Sequence, residues 1–159
     1  MYDVTFYFAH HYLEKGDRTI DQMVQAARSG KQNIAEGAAA GNTSKETEIK
    51  LTNVAKASLQ ELLVDYEDFL RVRGLKQWQP DDARLAQTKR ACAAHNDSEY
   101  YRKAMPERSA ETIANIAITL IHQTDWLLNK LIEKLEIQFV ENGGMREQMT
   151  KARKDYRGY

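Results

Sequence analysis

Residues 19–73 read TIDQMVQAARSGKQNIAEGAAAGNTSKETEIKLTNVAKASLQELLVDYEDFLRVR. Apolar side chains recur every three or four residues on both sides of a glycine-flanked break, which predicts two amphipathic helices. The first begins at Thr19, where Thr19–Gln22 has the form of a capping box, and it stops at Gly37. The second begins at Thr43, with Glu46 in the matching capping position, and continues to about Arg73.

The chain on either side of this stretch has the same helical period. A first helix is predicted at about Asp3–Lys15, and a last long helix begins after Pro106 and runs to about Glu141. No segment shows sustained alternation of apolar and polar residues, so strands are not expected. The sequence predicts an all-α fold, an antiparallel up-and-down four-helix bundle with a short helical insertion between helices three and four.

The domain boundaries follow from these segments. Residues 1–141 form the bundle, and residues 75–105 form the insertion, with a short helix at Asp81–Ala94. The sequence Asn142-Gly143-Gly144 breaks the last long helix, and residues 142–159 form a polar, basic tail that is either frayed or helical.

Composition limits the class of protein. The chain has 159 residues with 23 basic and 23 acidic side chains, which fits one domain and argues against a surface that is basic throughout. The lone Cys92 fits a reducing compartment, and no apolar run approaches the roughly 20 residues of a membrane span. We expect a soluble cytoplasmic protein without membrane association.

The last long helix has more apolar surface than a helix at the edge of a bundle requires. One seam consists of Ile113, Ile116, Ala117, Leu120, Leu127, Leu131 and Leu135, and an adjacent seam of Ile118, Ile121, Leu128 and Ile132. Together they span roughly 200°, about twice the usual apolar arc. Such a helix is either central in its own bundle or also buried in another subunit, and we favour self-association.

Trp126 lies opposite these seams, in a polar arc with Asn115, Thr119 and Glu133. Because tryptophan is usually largely buried, something is expected to cover it. The candidates are a neighbouring subunit and the insertion with its Trp78, of which we favour the insertion. Trp126, Ile121, Leu128 and Ile132 are the predicted packing and interface residues.

Charged side chains interrupt the apolar stripe of the second helix. Lys31 falls in the stripe with Arg28 beside it, and Glu61 and Asp65 line one flank of the third helix. We interpret these four residues as a structural ion-pair seam between the helices, because an unpaired buried lysine would cost several kcal/mol. A polar pocket is the alternative, but it would have no nucleophile and no clear base.

Metal binding is not expected. A di-iron site in a helical bundle needs Glu-x-x-His on two helices with two further glutamates, and no Glu-x-x-His occurs here. His10, His11 and Glu14 share a helix, but nothing else in the chain completes a ligand set. No cofactor is predicted.

Two local patterns concern nucleic acids. Arg90 and His95 have the Arg-x4-His spacing of helical nucleases of the HEPN group, although Ala91 stands where a polar residue commonly follows the arginine. The tail carries Lys151, Arg153, Lys154 and Arg157 with tyrosines among them, a composition suited to phosphate contact and base stacking. A solvated terminus is the alternative interpretation of the tail.

The strings Gln32-Asn33-Ile34-Ala35-Glu36-Gly37 and Ala57-Ser58-Leu59-Gln60-Glu61-Leu62 resemble signatures of a known family. They are similar to those of the four-helix-bundle proteins found as reading frames within intervening sequences of bacterial 23S rRNA genes, in the branch called four-helix-bundle suffix proteins. The resemblance implies a homopentamer of four-helix bundles without catalytic residues. A related branch, the accessory protein of diversity-generating retroelements, is a basic pentamer that binds nucleic acid and a reverse transcriptase.

The sequence therefore predicts a non-catalytic oligomeric scaffold that associates with RNA or with a nucleic-acid-handling enzyme. The alternative is a helical ribonuclease that uses Arg90 and His95. A third hypothesis is a bundle that binds a small molecule, which would require an apolar cavity lined by a few polar groups.

Overall fold

The computed structural model describes residues 1–158, and these residues contain helices but no strand. The all-α prediction is confirmed. The helices are α1 (Tyr2–Tyr12), α2 (Arg18–Ala40), α3 (Lys45–Val72), α4 (Ala83–Ala94), α5 (Ser98–Ala104), α6 (Ala110–Asn142) and α7 (Met145–Arg157), with a 3₁₀ turn at Met105–Glu107 between α5 and α6. No helix among residues 1–158 has the length and apolarity that crossing a membrane requires.

The N-terminal caps of α2 and α3 differ from the predicted ones. Asp17 Oδ1 accepts a hydrogen bond of 2.8 Å from the Thr19 backbone N–H, so the cap of α2 lies two residues before Thr19. Ser44 caps α3 by accepting from the Thr47 N–H at 3.2 Å, one residue after the predicted Thr43. An aspartate is the better cap because its charge also faces the positive end of the helix dipole.

Helix α2 does not stop at Gly37 but continues for three residues to Ala40. Gly37 is buried against α3, where a Cβ atom would lie 3.4 Å from the Glu48 carbonyl oxygen and from Leu51 Cβ. Gly30, about two helical turns earlier on α2, has the same role, since a Cβ atom at that position would lie 3.2 Å from Leu59 Cδ2. Both glycines therefore allow the two helices to approach closely, and Gly37 does not end α2.

The core lies where α1, α2, α3 and α6 meet. Helix α2 packs along α3, α3 packs along α6, and α1 contacts both α2 and α6. The ring of Phe8 lies 4.9 Å from that of Tyr66 and 4.6 Å from that of Phe69. Tyr66 is fully buried, and its hydroxyl donates to Thr5 Oγ1 at 3.0 Å. That bond satisfies a polar group that would be costly to bury alone.

The insertion has the predicted helix and a second one, α5. Helix α4 begins at Ala83, two residues after the predicted start, because Asp82 caps it by accepting from the Arg84 N–H at 3.0 Å. Helix α4 packs against α6, and α5 packs against α1. The insertion therefore docks on α1 and α6 rather than extending into solvent.

Candidate functional site

The basic tail forms helix α7, and none of its residues is buried. All four predicted phosphate-contacting residues, Lys151, Arg153, Lys154 and Arg157, have exposed side chains. Of the two readings of the tail, the structure shows the helical one.

Helix α7 separates its basic and apolar side chains. At 3.6 residues per turn, Arg146, Arg153 and Arg157 fall within an arc of about 40°. The apolar residues fall within an adjacent arc of about 60°, and they are Met145, Met149, Ala152 and Tyr156. Tyr156 is 93% exposed, so the apolar stripe has no partner within the described chain. The helix thus has a row of three arginines beside an uncovered apolar stripe.

A glycine pair joins α7 to α6. Gly143 has a backbone φ of +69°, which an L-residue rarely adopts. The Gly144 N–H donates to Glu147 Oε2 at 2.8 Å, and Gln148 Nε2 donates to the Gly143 carbonyl at 3.2 Å. These bonds satisfy the exposed ends of both helices and set the direction of α7 relative to α6.

Asn115 anchors the insertion to α6, a role that the sequence pattern did not indicate. This side chain was predicted to lie in an outward polar arc, but it is only 2% exposed. The Trp78 backbone N–H donates to Asn115 Oδ1 at 2.8 Å, and Asn115 Nδ2 donates to the Lys76 carbonyl at 2.9 Å. Thr119, also predicted to face outward, is buried too and donates to the Asn115 carbonyl within its own helix at 2.8 Å.

Glu111 is the second attachment point of the insertion. Its carboxylate accepts from the Lys76 backbone N–H at 3.0 Å, from Trp78 Nε1 at 3.3 Å and from Arg84 Nη1 at 3.3 Å. The Lys76 N–H is the main cause that lowers the pKa of Glu111. Arg84 also binds Asp82 at 2.9 Å, and its guanidinium lies 4.8 Å from the centre of the Trp78 ring.

Trp126 is not covered by the insertion, contrary to the favoured expectation. Trp78 is buried against α6 as predicted, but Trp126 remains 61% exposed. The insertion reaches as far as Gln123, whose Nε2 donates to the Lys89 carbonyl oxygen, and it borders Trp126 without covering the indole. Of the other predicted interface residues, Ile121 and Leu128 are buried within the chain itself and Ile132 is half-buried.

The predicted charged seam between α2 and α3 does not form ion pairs. Among residues 1–158, no salt bridge involves Arg28, Lys31, Glu61 or Asp65. Lys31 is exposed and its Nζ lies 5.5 Å from the centre of the Tyr2 ring. Burial raises the pKa of Asp65, and the nearby charges of Asp68 and Glu61 raise it further. The long stems of Arg28 and Lys31 reach solvent, so neither ammonium nor guanidinium needs a buried partner.

Uncharged side chains make the polar link between these helices instead. Ser29 Oγ lies 2.9 Å from Ser58 Oγ across the α2–α3 interface, and Asn33 Nδ2 donates to Ser29 Oγ at 3.2 Å. Ser58 falls in the apolar stripe predicted for the third helix, whereas Ser29 lies outside the stripe predicted for the second, so the sequence did not indicate this pair. Small hydroxyls fit an interface where glycines bring the backbones together.

The two residues of the ribonuclease alternative lie near the end of α4. Arg90 is exposed, and His95 is the C-terminal cap residue of α4. The His95 ring stacks on the Tyr100 ring, with centroids 3.7 Å apart and planes within 5°. His95 therefore packs against a side chain of the insertion itself.

The histidines of α1 do not belong to a metal-ligand cluster. Nδ1 of His10 lies 2.8 Å from the Phe6 carbonyl oxygen, and Nδ1 of His11 lies 2.8 Å from that of Tyr7. Within the part of the chain that the structure describes, no group of three or more His, Cys, Asp or Glu side chains is arranged to hold a metal ion.

Comparisons of the chain with protein families, with curated proteins and with solved structures found no match.

Proposed function

We propose that this protein is a non-catalytic, self-associating helical scaffold whose helix α7 contacts the phosphates of RNA or docks a nucleic-acid-handling enzyme. The observation that carries the proposal is the surface of α7. An exposed helix with Arg146, Arg153 and Arg157 in one row offers fixed guanidinium groups to a phosphate backbone. Lys151 and Lys154 lie on a neighbouring face of the helix, which they share with Glu147.

Stacking is the second contribution of this helix. Tyr156 stands beside the arginine row and is 93% exposed. An exposed aromatic ring next to basic side chains is the arrangement by which proteins hold single-stranded nucleic acid without reading its sequence. The expected ligand is therefore single-stranded RNA, bound through its backbone and through one or more stacked bases.

Self-association is supported by the position of the uncovered apolar side chains. In the part of the chain that the structure describes, Ile137 and Val140 lie on the outer face of α6 beyond Trp126 and are 58% and 82% exposed. In the arrangement we propose, α1, α2, α3 and α6 form an antiparallel up-and-down four-helix bundle, and the outer face of α6 packs against further copies. The resemblance to the 23S rRNA intervening-sequence proteins supports a cytoplasmic homopentamer, in which several α7 helices would bind one strand with increased avidity.

The test is the salt dependence of RNA binding. Fluorescence anisotropy with a labelled single-stranded RNA would compare the wild type with a variant in which Lys151, Arg153, Lys154 and Arg157 are replaced by alanine. Loss of four phosphate contacts should make the log–log slope less steep by about 3, at about 0.7 for each contact. The matched control replaces four exposed basic residues elsewhere, Lys15, Arg18, Arg28 and Lys50, and should keep the wild-type slope.

Two results would contradict this proposal. Unchanged binding by the α7 variant would place the contact elsewhere on the molecule, and the absence of binding at low salt would remove nucleic acid from the proposal. RNA cleavage that is lost on His95→Ala would instead favour the ribonuclease alternative.

A further inference from the structure

A groove runs between the insertion and the middle of α6, and no residue of α7 lines it. Its volume is about 780 Å³, within the range of small-molecule sites in proteins. The apolar part of its surface comes from both sides, with Pro80 and Leu85 from the insertion and Ile118, Trp126 and Leu127 from α6. Trp126 and Leu127 are 61% and 59% exposed, so these large apolar side chains face an open space.

The charge of the groove is positive. Lys89 lines it, and none of its described lining residues is an aspartate or a glutamate. No salt bridge among residues 1–158 involves Lys89, so its ammonium group is not neutralised by the described chain. The remaining polar lining consists mainly of side-chain amides, including Asn96 and Gln123.

The backbone around Lys89 is fixed to α6. Gln123 Nε2 donates to the Lys89 carbonyl oxygen at 3.0 Å, which joins the middle of α4 to the helix that carries Trp126. The insertion is also anchored at Asn115 and Glu111, as described above. Both walls of the groove are therefore held in place before any ligand binds, and little ordering free energy is required on binding.

We propose that this groove binds a small amphipathic anion, with its apolar body against Trp126 and Leu127 and its carboxylate or comparable acidic group at Lys89. A neutral apolar ligand would leave the ammonium group without a partner, and a cationic ligand would meet charge of the same sign in a site without acidic residues. This activity is separate from phosphate binding by α7.

The probe for the test is 1-anilinonaphthalene-8-sulfonate, which has an aromatic body and one fixed negative charge. Titration of the wild type should give one site per chain. Trp126→Ala and Lys89→Glu should each weaken binding by about tenfold, the equivalent of about 1.4 kcal/mol for one lost contact. The controls are Phe6→Ala and Lys50→Glu, which alter an exposed aromatic ring and an exposed lysine outside the groove and should leave the affinity unchanged.

Competition then tests the charge. Decanoate should displace the probe, and decyltrimethylammonium, with the same chain and the opposite charge, should do so at least tenfold less well. Equal displacement by both compounds would overturn the proposal, as would probe binding that neither groove substitution affects. Trp126 emission that is already blue-shifted in the assembled protein and insensitive to the probe would show that a second copy fills the groove, which would also overturn it.

Discussion

Glu111 and Asn115 stand one helical turn apart on α6, and together they satisfy the backbone of a segment without secondary structure. Residues 75–79 contribute no helical hydrogen bonds of their own, so their N–H and C=O groups need other partners. The amide of Asn115 can donate and accept at once, which is why it pairs with both the Trp78 N–H and the Lys76 carbonyl. The carboxylate of Glu111 also forms a salt bridge with the guanidinium of Arg84.

Glu111→Gln should destabilise the protein in a pH-dependent manner. The hydrogen bonds lower the pKa of Glu111 in the folded state, so the stability it contributes is fully present above its ordinary pKa and is lost as the pH falls through the lowered value. Near neutral pH we expect the variant to lose about 1–2 kcal/mol of the free energy of unfolding. Urea denaturation near neutral pH and at about pH 3 measures the difference, which should shrink in acid.

Glu133→Gln is the control for this substitution. Glu133 pairs with Lys130 on the exposed surface of α6, at 2.8 Å, and its loss should cost less than about 1 kcal/mol. If Glu111→Gln lowers the free energy of unfolding equally at both pH values, the shape of the side chain and not its charge holds the insertion.

At the scale of the helices, the hydrophobic period was sufficient to predict the main elements. Helices α2, α3 and α6 have long amphipathic patterns, and their predicted bounds agree with the structure to within a few residues. The caps were less predictable because several Ser, Thr and Asp residues stand before each helix and all of them can accept a hydrogen bond. The prediction that the helix ends at Gly37 is wrong, because a sequence alone does not distinguish a glycine that ends a helix from one that faces a neighbouring helix.

The attachment of the insertion could not be read from a helical wheel. A wheel assigns Asn115 and Thr119 to solvent because they are polar. Asn115 instead binds backbone groups of a segment 37 and 39 residues away, and Thr119 donates to the Asn115 carbonyl within α6. The same limit applies to the charged seam, because a lysine in an apolar stripe can extend its stem to solvent. The sequence did indicate docking, because an insertion of about thirty residues with a single tryptophan cannot form a core of its own.

Helix α7 is the element whose removal should cost least. Because none of its residues is buried, deletion of residues 145–159 should change the free energy of unfolding by less than about 0.5 kcal/mol. Leu135→Ala, on the buried face of α6, is the comparison and should cost about 2–5 kcal/mol. Denaturant unfolding of the three proteins at one low protein concentration measures both. A loss of several kcal/mol on deletion would show that the apolar stripe of α7 is docked in solution.

For the whole molecule, assembly should depend on the outer face of α6 beyond the insertion. Ile137 and Val140 are 58% and 82% exposed there, on the same face of α6 as Trp126 and about three to four helical turns beyond it. Replacing both with glutamate would bury like charges in any interface that uses this face, so we expect the assembly to dissociate. Light scattering with size-exclusion chromatography should give several chain masses, with five expected, for the wild type and one for this variant.

The control for assembly lies on α3. Val64→Glu with Val72→Glu makes the same chemical change at two exposed valines, and its mass should equal that of the wild type. Substitutions at Ile121 or Leu128 would not be informative, because both are buried within one chain and their loss would unfold it. A monomeric wild type at micromolar concentration would contradict the proposed assembly.

Cys92 can report on local opening between the insertion and α6. It is the chain's one cysteine, it is 6% exposed at the face of α4 that meets the bundle, and its pKa is raised by burial. Alkylating reagents attack the thiolate, and burial both raises the pKa of the thiol and restricts access to it, so we expect reaction to be fastest when the insertion moves away from α6. The rate of alkylation under native conditions therefore reports the population of that open state, provided that reclosing is faster than alkylation. Comparison with the population of the globally unfolded state then shows whether the insertion moves alone or only when the whole bundle unfolds.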